Sequence, residues 1–271
     1  MELIIKPKGK FGVNFKEIWA YRELFYFLAW RDIKVRYKQT VFGAGWAVFQ
    51  PFVTMVIFTI FFGRVAGISS NGVPYPIFSY TGLLFWQFFS SSVINSSNSF
   101  VSNQGILQKV YFPRLILPFA ATIVSVIDFL AALTIFVGLM IYFHTVPSLI
   151  GLILIPIGLA ISFIAAAGLG LLLATLNVKY RDVKYALAFF IQMLLFLTPV
   201  IYPVSLISES WRWLLNLNPM TGVIENMRAG LLGTGSIDWG LLGLSAIISF
   251  VILLIGYVYF YHHEREFADV I

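Results

Sequence analysis

The chain has 271 residues, no cysteine, 59% apolar residues and 11% charged residues, where soluble domains carry about 45–50% and about 25%. This excludes a disordered chain, a disulfide scaffold and a cysteine-ligated metal domain, and it points to a protein solvated largely by lipid. The formal net charge is +6, and in such a protein the placement of cations matters more than their sum.

Residues 1–23 lack an apolar core, so no cleavable signal is expected. A short apolar run at 24–30 leads into Arg31, Asp32, Lys34, Arg36 and Lys38, interleaved with Ile33, Val35 and Tyr37. Trp30 and Tyr37 beside Arg31 and Lys34 suit an amphipathic helix lying in the headgroup layer. The alternative is a basic flank that only fixes orientation.

A spanning helix needs about 20 mostly apolar residues. Segments 41–62, 115–143, 149–176, 185–202 and 239–261 meet that, with the first serving as an uncleaved signal-anchor. Segment 77–100 is weaker, because its second half carries Ser90, Ser91, Ser92, Asn95, Ser96, Ser97, Asn98 and Ser99. Charge decides the matter. Six spans with a cytoplasmic N-terminus put 15 of the 18 Lys and Arg inside, whereas five spans give 11 inside and 7 outside. Cytoplasmic loops concentrate cations, so six spans with both termini inside are predicted. The Ser/Asn half must then face other helices or a wet cavity.

Between the second and third spans, 101–113 reads as a short cytoplasmic loop with apolar residues at its tip, as in a protein-binding knob. Loop 177–184 is shorter and polar. The outside segment 203–238 is rich in Leu and Trp and broken by prolines; two short helices dipping back toward the membrane fit it. There, Glu225 and Arg228 are three apart and can pair on a helix.

Ala121, Ser125, Asp128 and Ala132 share one face of the third span. A carboxylate mid-span costs at least about 2.5–3.5 kcal/mol, and none of the other five spans holds a mid-span cation. Asp128 is therefore expected in a hydrogen-bonded helix contact or at a dimer seam, with proton coupling the sharper alternative. Ala166, Gly170 and Ala174 form a close-packing face on the fourth span. Aromatics reach 17%. Those on the first two spans, Phe42, Trp46, Phe49, Phe85, Trp86 and Phe89, with Asn95 nearby, could line a path tolerant of sugars. Lipid-facing and core packing is the alternative for each.

Catalytic signatures are missing. There is no G-x-x-x-x-G-K-[ST], no H-E-x-x-H and no G-x-S-x-G. This chain is not expected to be an enzyme.

Several runs resemble a known family. Trp30-Arg31-Asp32-Ile33-Lys34-Val35-Arg36-Tyr37-Lys38, then Gly43-Ala44-Gly45-Trp46 and Gln50-Pro51, resemble the start of ABC-2 type permeases that export polysaccharides such as O-antigen and teichoic acid. Lys109-Val110-Tyr111-Phe112-Pro113-Arg114, Asn177-Val178-Lys179-Tyr180-Arg181-Asp182, Thr198-Pro199-Val200-Ile201-Tyr202-Pro203 and Asn218-Pro219-Met220 with Arg228 follow in the family's order.

The resemblance implies an all-α membrane protein with a cytoplasmic N-terminus and interfacial helix over 1–40, a six-span domain over 41–261 and a cytoplasmic tail over 262–271. It implies a homodimer in the bacterial inner membrane, with two separate ATPase subunits that bind ATP and Mg; no cofactor is expected in this chain and no nucleic acid among its partners. The loop over 103–114 would couple to the ATPase through Gln104, Leu107, Lys109, Tyr111, Phe112 and Arg114. Tyr202, Pro203, Trp213, Glu225 and Arg228 would belong to the external gate. The cargo implied is a lipid-linked polysaccharide moved outward. The alternatives are an ABC-2 exporter of a small amphiphile or drug, a proton-coupled transporter using Asp128, and a non-transporting scaffold.

Overall fold

The computed structural model describes residues 15–38, 45–180, 182–264 and 267; Phe42 lies outside them. All regular structure among the described residues is helical. In chain order the α-helices are α1 (Phe15–Ala20), α2 (Arg22–Lys38), α3 (Gly45–Phe58), α4 (Tyr75–Ser102), α5 (Gln104–Leu107), α6 (Ile116–Tyr142), α7 (Leu149–Lys179), α8 (Val183–Leu197), α9 (Glu209–Asn216), α10 (Pro219–Leu232) and α11 (Trp239–His263). A π-helical stretch, Thr59–Val65, prolongs α3.

Among the described residues, five helices are long and apolar enough to cross a membrane: Gly45–Val65, α4, α6, α7 and α11. The segment expected to cross at 185–202 is helical only over Val183–Leu197. Fifteen residues span about 22 Å at 1.5 Å each, short of a hydrocarbon core of about 30 Å. The cause is local. Thr198 precedes Pro199 and takes ψ 140°, the extended backbone that a following proline imposes.

The starts and stops of the later helices follow their sequence. Ser148 caps α7 by accepting from the Gly151 amide, and Asp238 caps α11 by accepting from Leu241. Asn218 caps α10 with Pro219 in its first turn, and Gly233 ends that helix at φ +70°.

Helix α4, the weakest span by hydropathy, is the centre of the bundle. Its most apolar stretch is 83% buried, against 17% for the α3 span and 22% for α11. It packs against α3, α6, α7, α8 and α10. The Ser/Asn half can therefore be polar, because Ser92, Ser96 and Ser97 are wholly enclosed by protein. The small-residue face of α7 meets it there: a Cβ on Gly170 would lie 2.5 Å from Ser96 Oγ. On its other side α7 touches α11 backbone to backbone. A Cβ on Gly256 would fall 2.2 Å from the Gly168 carbonyl oxygen, so only glycine permits that approach.

The sequence assigned Asn177 to a loop, but α7 runs on through Lys179. Asn177 is buried and donates to the Ser97 carbonyl at 3.1 Å and to Asn98 Oδ1 at 3.2 Å. These partners on α4 keep the polar end of α7 helical.

Candidate transport site and coupling surface

Helix α2 carries apolar groups on both sides. Leu24, Phe25, Leu28 and Ala29 pack with Phe100, Phe112, Ile116, Leu117 and Phe260 into a small core at one end of the bundle. Tyr26, Phe27 and Trp30 point outward. Trp30 stacks on Tyr26 and has the Lys34 ammonium 5.4 Å from its ring. That outward aromatic face with a cation at its edge suits a headgroup layer.

The polar side of α2 turns to the bundle. Arg31 pairs with Asp32 at 2.7 Å and donates to Asn103 Oδ1 at 2.6 Å. One turn on, Arg36 donates to Asp128 Oδ2 at 2.5 Å and to Asn95 Oδ1 at 3.2 Å, while the Tyr37 hydroxyl donates to Asp128 Oδ1. Asn95 Nδ2 in turn donates to Ser125 at 3.2 Å. Asp128 thus has its counter-charge. The sequence reading sought a cation inside another span and found none; the structure supplies one from the last turn of α2.

Two cavities flank this clasp and share Arg36. One, of about 270 Å³, is bordered by Tyr37, Trp46, Gln50, Gln87, Ser91 and Asp128. The other, of about 650 Å³, lies between α2 and the Ser/Asn half of α4.

Near the far end of α4 sits Arg228 of α10, 1% exposed. Its guanidinium carbon lies 3.6 Å from the centroid of the Phe78 ring. Its nitrogens donate to the carbonyls of Phe78 (3.2 Å), Pro199 (2.6 Å) and Val200 (2.6 Å), and to Glu225 Oε1 (3.2 Å). The expected Glu225–Arg228 pair is present, and it is the smaller part of the arrangement. Three carbonyls from two backbone segments converge on one planar donor fork.

The remaining candidates divide. In the loop after α4, Lys109, Val110 and Tyr111 are exposed, and Gln104, Leu107 and Arg114 are partly so. The Tyr111 hydroxyl donates to Glu17 of α1 at 3.1 Å. Partial desolvation of its hydroxyl, and then the bond to that carboxylate, raise the phenol pKa above the ordinary value. Arg114 donates to the Glu264 carbonyl and lies 5.4 Å from the Phe267 ring. Phe112 corrects the expectation for this loop. It is 3% exposed and belongs to the small core under α2, so its ring is spent on the fold and is not offered to a partner.

Trp46 and Phe49 of α3 are about half exposed and meet edge to face. Phe85, Trp86 and Phe89, expected on a lining, are 0%, 3% and 5% exposed. Phe85 packs on Phe129 at 5.3 Å, inside the chain's own core. Asn95 borders the larger cavity. Pro203 is buried, Tyr202 donates to the Phe196 and Leu197 carbonyls, and Trp213 stands exposed on α9. Sequence reasoning missed Arg36, Asn103 and Gln87. An arginine alternating with apolar residues looks solvated until its partner is known.

Comparison with known proteins agrees with the helical architecture. The chain is 30% identical over 258 residues to the O-antigen export system permease protein RfbA of Myxococcus xanthus, covering 94% of this chain and 98% of that protein. It is 29% identical over 242 residues to RfbA of Klebsiella pneumoniae, covering 89% and 92%. It is 25% identical over 236 residues to the polysialic acid transport protein KpsM of Escherichia coli, covering 83% and 88%. Residues 23–232, from α2 to the end of α10, match the ABC-2 type transporter family, and the chain belongs to that family.

Proposed function

We propose that this chain is the transmembrane subunit of an ABC exporter that moves a lipid-linked, O-antigen-like polysaccharide outward across the bacterial inner membrane. Similarity to permeases named for O-antigen export runs along almost the whole chain and carries this reading. Two copies surround the path, and a separate ATPase binds each. The chain crosses the membrane six times with both termini inside, its short α8 completing the fifth crossing.

The exposed residues after α5 and the nearby outward face of α2 form the surface on which the ATPase bears. Closure of the ATPase pair pushes on this end. The Arg36–Asp128–Tyr37 clasp carries the displacement of α2 into α6, and Arg228 holds α10 to α4 at the external end. Movement of packed helices between discrete arrangements then opens and closes the path. The glycan meets exposed aromatic, amide and hydroxyl groups that hold it only weakly at any one point, since tight binding would stall a moving polymer. Asp128 is neutralised by Arg36, so its presence on a span needs no proton-carrying role.

Deleting the chain should remove the polysaccharide from the cell surface and leave lipid-linked glycan inside. An intact surface polysaccharide, or loss of a small amphiphile's export instead, overturns the reading. Purification of the chain should bring an ATPase with it at equal stoichiometry.

A further inference from the structure

The larger cavity is a cleft of about 650 Å³ within a single protomer, with polar and apolar groups on its walls, in the range of small-molecule sites, about 300–1,000 Å³. Arg31, Asp32, Asn95, Asn98, Ser99 and Asn103 are among its lining groups. Ser99 is 4% exposed, and its hydroxyl has no hydrogen-bond partner among the described residues. Ser92 and Ser96 of the same helix share that state, and the Ser99 oxygen is sealed by protein, so the hydrogen-bonding surface of the cleft is that of its carboxamides and charged pairs. The carboxamides keep bonding capacity beyond the bonds they make, since each has two N–H groups and two lone pairs.

The charges select the ligand class. Arg31 is neutralised by Asp32, and Arg36 by Asp128. A cleft built for an anion would present a cation without a counter-ion; this one presents balanced pairs and amides, which offer donors and acceptors together. Neutral hydroxyl groups, each a donor and an acceptor, match that lining. The neighbouring cavity on the other side of Arg36 carries the aromatic groups of Tyr37 and Trp46, whose electron-rich faces receive the C–H side of a sugar ring.

We infer that the cleft between α2, α4 and α6 is a sugar-binding subsite, one in each protomer, that holds a few uncharged sugar units of the cargo beside the central path. This rests on the export reading. It adds a binding place enclosed by one protomer, lined by the Ser/Asn half of α4.

The chain has no cysteine, so single cysteines report cleanly. Ser102→Cys places a thiol in the cleft lining at an exposed position with little change in size. Val35→Cys, at its exposed rim, reports with less effect on packing. Val101→Cys, exposed on the same helix outside the cleft lining, is the control. The full chain is expressed with its ATPase, and inside-out membranes are treated with a membrane-impermeant sulfonated thiol reagent. One set of membranes comes from cells making the glycan, the other from cells lacking the first glycosyltransferase.

Both cleft cysteines should react in glycan-free membranes and at least about twofold more slowly in glycan-containing ones, the slowing produced when half the sites are filled. Val101→Cys should react equally in both. Equal cleft rates in both membranes overturn the inference. So does an unreactive cleft in both, which marks occupation by ordinary lipid or closure, and so does equal protection of the control. If surface glycan depends on the chain while the cleft shows no protection, the subsite fails and the export function stands. If surface glycan does not depend on the chain, the export function fails with it.

Discussion

Arg228 and Phe78 face each other across the junction of α10 and α4, with the guanidinium carbon 3.6 Å from the ring centroid and Nε donating to the Phe78 carbonyl. The same side chain closes onto Pro199 and Val200. Gly82 makes room: a Cβ there would lie 2.7 Å from Arg228 Nη2. Replacing Arg228 by Met strips three buried carbonyls of a charged donor and should cost about 3 kcal/mol or more. Arg228→Lys should recover little, because an ammonium lacks the planar fork. Thermal unfolding of the detergent-purified chain measures both.

The Arg36–Asp128 pair is tested by exchange. Arg36→Asp and Asp128→Arg should each lower stability and export, and the double exchange should recover part of both. A coupling energy of about 1–3 kcal/mol is expected for directly bonded groups. Export and stimulated ATP hydrolysis should fall together in the single variants. If Asp128→Asn abolishes export while hydrolysis stays coupled and export depended on the proton gradient, Asp128 is a proton carrier and the clasp is not its role.

Phe112 and Tyr111 are neighbours with opposite tasks. Phe112→Ala should destabilise the chain by about 3–5 kcal/mol, the cost of emptying a buried phenylalanine site. Tyr111→Ala, at an exposed position, should leave stability nearly unchanged and weaken co-purification of the ATPase. Comparing melting temperature with ATPase recovery separates the two.

Tyr111 also makes a pH prediction. Its phenol donates to Glu17 only while protonated, and its folded pKa is raised, first by burial and then by that hydrogen bond. The bond's contribution is therefore fully present below the ordinary tyrosine value of about 10 and is lost as pH rises through the elevated folded value. The difference between ultraviolet titrations of the unaltered chain and of Tyr111→Phe should be one phenol that ionises above the ordinary range. Glu17→Gln should shift it back toward the ordinary range.

Gly256→Ala should destabilise by at least about 1–3 kcal/mol, since its methyl group meets the α7 backbone. Gly138→Ala, where nothing lies within 4 Å, should be tolerated. Folded yield after membrane extraction distinguishes them.

The long apolar helices were legible because lipid demands length and hydropathy, and these are local properties. The Glu225–Arg228 pair was legible for the same reason, being a matter of helical spacing. What sequence could not reveal was which face of each element meets which neighbour. Ser92 and Ser96 could be enclosed because α4 is central, a tertiary fact. Asp128 found Arg36 across 92 residues, and Phe112 turned inward because α2 folds over it. Phe85 and Trp86 read alike as lining or core, since aromatic character serves both.

The abutment of Gly168 and Gly256 has a mechanical consequence. Two helices joined main chain to main chain, with no side chains between them to repack, cannot swivel or slide without collision. α7 and α11 therefore act as a fixed post on which α4 is mounted. α3 packs on α4 and α6, and α8 on α4 and α7, through few buried residues, Pro51, Met55 and Phe58 on one and Leu187 and Ile191 on the other. Helices held by so few buried side chains are freer to shift than the α7–α11 pair, which moves as one unit.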